Sequence, residues 1–82
     1  MRKYIIEIFY SDEDEGFIAV APELAGCWRL WRLKEDALHE IEIAMDLWLE
    51  TAKKEGRNIP RPRGRELLAG VLEKKDRESA VS

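Results

Sequence analysis

Cysteine is almost absent from this chain of 82 residues: Cys27 stands alone, so no internal disulfide can close. Histidine is equally scarce, and His39 with Cys27 cannot supply a structural zinc site. Five glycines are scattered as turn and cap residues, and none builds a phosphate-cradling loop. No apolar run approaches the roughly 18 residues of a membrane span. Met1 is followed by charge rather than by an apolar signal segment. These absences point to a cytoplasmic protein in a reducing setting, with no membrane partner and no cofactor. A chain this short buries only a limited fraction of its surface. With neither staple nor metal, its stability must come from efficient packing or self-association. A homodimer or a larger homo-oligomer is therefore expected.

Charge is plentiful but unevenly placed. Residues 1–52 carry 12 acidic and 5 basic side chains, and residues 53–82 carry 5 and 9, within whole-chain totals of 17 and 14. An acidic body argues against a nucleic-acid platform and suits a basic partner. The basic tail, with Arg57, Arg61, Arg63 and Arg65, lacks interleaved aromatics and any unit that reads DNA.

Periodicity orders the elements. Residues 3–10 (KYIIEIFY) alternate Tyr4, Ile6, Ile8 and Tyr10 with Ile5, Glu7 and Phe9, which reads as a strand. Ser11 to Gly16 is an acidic turn, with Gly16 available for a positive φ. Phe17 to Ala21 completes an antiparallel hairpin that Pro22 ends. Glu23 to Gly26 is a connector, and Cys27 to Arg32 alternates again as a third strand. From about Lys34 to Lys54 the period changes to 3.6, with Ala37, Leu38, Ile41, Ala44, Met45, Trp48, Leu49 and Ala52 in one broad stripe. Gly56 suits the C-terminal cap, and Lys53 and Lys54 complement the helix dipole. Residues 57–64 are a Pro- and Gly-containing linker. Residues 65–75 form a short amphipathic helix with Leu67, Leu68, Val71 and Leu72 on one face, or alternatively a final strand beside the first. Residues 76–82 are expected to fray. The order β-β-β-α predicts an α+β fold, a three-stranded antiparallel sheet with one long helix on a face.

The usual catalytic constellations fail. His39 falls on an exposed helix face, and Cys27 has no oriented base beside it. Asp12 to Glu15 could open a calcium loop by spacing, but the chain turns directly into a strand and places no downstream Glu ligand. The reading is a non-enzyme. What remains is surface for binding. Trp28, Arg29, Trp31 and Arg32 concentrate residue types favoured at interfaces, and alternation sends the two tryptophans to opposite faces. One tryptophan is expected under the long helix and the other against a subunit or partner. Ile43 and Leu47 lie one turn apart opposite the core stripe and complete the candidate partner or oligomer interface.

The ordered motifs resemble a known family. The tyrosine-led first strand, Gly16-Phe17, Ala19-Val20-Ala21-Pro22-Glu23-Leu24-Ala25-Gly26-Cys27, Glu35-Asp36-Ala37-Leu38, Leu47-Trp48-Leu49 and Ile59-Pro60-x-Pro62 are together similar to HicB-like antitoxins. The likeness runs without a gap from Gly16 to Pro62, and residues 1–62 are assigned to it, with 63–82 as a C-terminal segment. The resemblance implies a partial ribonuclease-H-like β-β-β-α fold without that enzyme's carboxylates. It also implies self-association and neutralisation of a small basic mRNA-cleaving toxin of the HicA type.

Two departures stand out. Where the family has a glycine and an N-capping Thr or Ser before the helix, this chain has Trp31 and Leu33; a lost cap costs about 0.5–2 kcal/mol and calls for compensation. The 20 residues after Pro62 are too few for a helix-turn-helix, which argues against direct DNA binding. The rival reading is a stand-alone oligomeric regulatory or ligand-binding domain without a toxin. A ribonuclease-H-like nuclease is least favoured, because no acidic triad falls on the strands.

Overall fold

A computed structural model describes residues 3–72. Three strands, β1 (Glu7–Ser11), β2 (Gly16–Val20) and β3 (Trp28–Trp31), precede the long helix α1 (Lys34–Lys54) and the short helix α2 (Gly64–Leu67). The sheet is antiparallel throughout, in the order β1-β2-β3, so β2 is central and both neighbours are edges. This is the α+β architecture expected, and the described part of the C-terminal segment, to residue 72, is helical rather than a fourth strand; the expected end of that helix and the fraying of 76–82 lie outside the described residues. The strand expected over 3–10 forms only from Glu7, because Ile5 N–H is taken by a side chain, Glu23 Oε1 at 2.9 Å.

The hairpin keeps strict register, Ile8 opposite Ala19 and Tyr10 opposite Phe17. Its turn puts the left-handed residue at Glu15 (φ 51°), not at Gly16 as expected from composition. Gly16 is required for a different reason: a Cβ there would lie 2.9 Å from the Trp31 carbonyl oxygen. The close approach of β3 to β2 thus depends on hydrogen at that position.

Helix α1 crosses one face of the sheet through small residues. Ala19, Ala21, Ala37 and Ala44 are buried with Leu24, Cys27, Ile41 and Met45. Alanine on both surfaces lets helix and sheet approach closely, and Leu24, Ile41 and Met45 fill the space that remains. Leu38, expected in the core stripe, is 41% exposed. It lies at the flank of the stripe in the first helical turns, whereas Leu49, on the same flank, packs against the core.

The helix starts at Lys34 without a side-chain cap, since Leu33 has none to offer. Glu35 and Asp36 in the first turn compensate by placing negative charge against the positive end of the dipole. At the other end, Arg57 N–H reaches Ala52 C=O at 2.9 Å and Gly56 N–H reaches Lys53 C=O at 3.2 Å. With Gly56 at φ +68° this is a Schellman cap, at the glycine where the sequence places it.

Candidate interaction surfaces

Strand alternation and the core contacts divide the sheet cleanly. Ile8, Phe17, Ala19 and Cys27 face the helix. The opposite face carries two cross-strand rows, Phe9–Ile18–Leu30 and Glu7–Val20–Trp28. Among the described residues no helix covers these rows: Phe9 and Trp28 are about half exposed, at 50% and 51%. An uncovered apolar sheet face of this kind is a candidate interaction surface.

The expected site residues fall on three separate surfaces. Trp28 lies on the uncovered sheet face, as alternation requires. Trp31 pairs with Phe17 on the helix side, yet it remains 43% exposed in a groove with Arg32, Leu33 and Asp36. The tryptophan that packs against the core is instead Trp48, on α1 itself, whose Nε1 donates to the Ala25 carbonyl at 2.9 Å. Ile43 and Leu47 are exposed on the outer side of α1. At 100° per residue, Asp36, Glu40, Asp46 and Glu50 share that side with them. The result is an acidic helix face with two aliphatic side chains at its centre.

Arg29 belongs to neither apolar surface. Its Nη1 donates to the Trp28 carbonyl at 2.7 Å, and it shares a groove with Leu47, Trp48 and Arg57. The Arg57 guanidinium lies 5.2 Å from the Trp48 ring centroid, a cation–π contact, and its Nε pairs with Glu55 at 3.2 Å. On the other side of Trp48, an open groove of about 550 Å³ is lined by Glu23, Ala25, Gly56, Arg57, Asn58 and Pro60. Burial pushes the Cys27 thiol up, with Arg29 pulling the other way, so Cys27 is a protonated core residue at neutral pH.

Two functional side chains had no distinctive signal in the sequence. Glu23, read only as part of a connector, accepts from Ile5 N–H at 2.9 Å through Oε1 and from Arg63 N–H at 2.7 Å through Oε2. One carboxylate thus ties the start of the sheet to the segment after Pro62. Tyr4 supports the same junction by donating its hydroxyl to the Pro60 carbonyl. Leu24, also in the connector, is only 1% exposed and plugs the core. The turn holding it is closed by Leu24 N–H to Ala21 C=O and Cys27 N–H to Leu24 C=O, both at 3.0 Å, with Gly26 at φ +75°. No helix among the described residues is long and apolar enough to cross a membrane.

The chain is 38% identical over 53 residues to a UPF0150 protein of Synechocystis sp., covering 65% of this chain and 73% of the relative. It is 34% identical over 65 residues to a UPF0150 protein of Thermoplasma acidophilum, covering 79% and 93%. No family model and no solved structure matches the chain. Identity at this level, over most of both relatives, places the chain in the UPF0150 family.

Proposed function

We propose that this chain is a cytoplasmic, non-catalytic antitoxin of the HicB-like kind, acting as a homodimer or larger assembly. Its partner is a small basic mRNA-cleaving toxin of the HicA type, neutralised by direct binding. The observation that carries this reading is the outer face of α1, where exposed Ile43 and Leu47 are set among Asp36, Glu40 and Glu50. Apolar anchors with a cluster of acidic side chains beside them suit a basic partner: the charge steers encounter and the anchors hold the complex. The excess of acid over base in residues 1–52 extends the same field over the body. The HicB-like order of motifs from Gly16 to Pro62 supplies the class of partner.

Co-expression with a HicA-type toxin encoded beside the chain tests the reading. The complex is expected to survive affinity capture and to relieve growth arrest. Combining Ile43→Ser, Leu47→Ser and Glu50→Lys should weaken capture at least about tenfold, the loss of one or two interface anchors. Absence of both complex and rescue with the unaltered chain would reject it.

A second reading, a stand-alone ligand-binding module, is favoured by one feature: the open groove beside Trp48, where Arg57 offers a cation and the indole an aromatic wall. Failure of toxin capture together with saturable binding of a small anionic aromatic compound would favour it.

A further inference from the structure

One chain carries two apolar surfaces that none of the described residues covers. The first is the sheet face with Phe9, Trp28 and Leu30 exposed. The second lies on the C-terminal segment, where Leu67, Leu68 and Val71 are 56%, 46% and 67% exposed. Leu72 N–H donates to the Leu68 carbonyl at 2.9 Å, which continues the helical path beyond α2 and keeps these three side chains on one side.

Charge decides which surface meets which. The hairpin turn holds Asp12, Glu13, Asp14 and Glu15 with no basic residue between them. Residues 57–72 hold four arginines and one glutamate. Within one chain the two cannot meet. Arg63 N–H is anchored on Glu23, and Gly64 sits against Ile5, where an added Cβ would be 2.9 Å from the Ile5 side chain. The base of α2 is therefore fixed near the beginning of β1, and the acidic turn follows the end of β1. The five residues of β1 alone separate them by about 14 Å, beyond the Debye length of about 8–10 Å at physiological salt. A two-fold axis removes the separation, because it sets the end of one copy's sheet against the opposite end of the other's.

We propose that two copies associate through the uncovered sheet face by reciprocal exchange of the C-terminal segment. Residues 64–72 of each copy lie across the Phe9–Ile18–Leu30 and Val20–Trp28 surface of the other. Arg61, Arg63 and Arg65 of each copy face the partner copy's Asp12–Glu15 turn. This inference rests on the self-association in the function proposed above and names its surface; it leaves the outer face of α1 free for a toxin.

The test is molar mass by light scattering on the full chain at tens of micromolar, with three variants. Reversing the turn (Asp12→Lys, Glu13→Lys, Glu15→Lys) or the segment (Arg61→Glu, Arg63→Glu, Arg65→Glu) is expected to halve the mass of the unaltered dimer. Mixing the two reversed variants is expected to restore it, because each then offers the charge the other needs. Leu68→Asp with Val71→Asp is expected to give a monomer with unchanged helical circular dichroism. A monomeric unaltered chain, a mixture that stays monomeric, or a dimer that survives Leu68→Asp with Val71→Asp would each overturn the proposal. All these outcomes are read without a toxin, so their failure is separate from failure of toxin capture.

Discussion

The two faces of the same three strands have been treated in opposite ways. On the helix side, Ala19, Ala21, Ala37 and Ala44 let α1 settle close, and only the Tyr10–Phe17–Trp31 row at the end of that face leaves large strand side chains, Tyr10 and Trp31, exposed. On the other side the residues are larger and more apolar, with Phe9, Ile18, Val20, Trp28 and Leu30, yet no element among the described residues lies over them. Small residues therefore mark the finished interface, and large ones the unfinished one. The described residues hold one covering layer, and it lies where close approach is easiest. The face with greater hydrophobic capacity is the one proposed above for association.

The comparison can be broken at three points. The largest expected effect is on the covered face: Ile41→Ala removes a fully buried side chain and should cost about 2–5 kcal/mol in urea unfolding. A cost below about 1 kcal/mol would mean that the alanine-lined interface is loose. Next comes the sheet's margin, where Glu23→Ala removes two hydrogen bonds to an ionised acceptor. The junction is partly open to solvent, so the loss should be about 2 kcal/mol. Glu23→Gln should retain part of it. The smallest effect is expected on the uncovered face: half of the Phe9 surface is already wet, so Phe9→Thr should cost only about 1 kcal/mol in dilute monomer. Equal losses for Ile41→Ala and Phe9→Thr would erase the distinction between the faces.

Much of this organisation was legible in the sequence. Alternation in Phe17–Ala21 and the 3.6 period after Lys34 are local signals, and so is Gly56 at the helix end, because each depends on neighbours within a turn or two. The opposite placement of Trp28 and Trp31 followed from the pleat alone. The choice of covered face was harder, since both sides of KYIIEIFY are apolar and the decision rests on alanines that make close contact possible. Leu38 was misplaced because the helical stripe is wider than the sheet it meets, so a flanking position is buried only where something stands beside it. Glu23 and Leu24 were unreadable for a different reason. Their partners lie up to 40 residues away, and no local pattern separates a carboxylate that gathers two segments from one that merely solvates a turn.

That carboxylate also has a kinetic meaning. The hairpin and α1 form from contacts close in sequence, whereas Glu23 meets Arg63 across 40 residues and Tyr4 meets Pro60 across 56. Closing such long loops is entropically slow and gains little until the sheet and helix are already in place. The junction is thus expected to assemble after the rate-limiting step, and its loss in Glu23→Ala to quicken unfolding while leaving the refolding rate nearly unchanged. In that sense Glu23 acts as a latch on the lifetime of the folded chain, fastened last and released first.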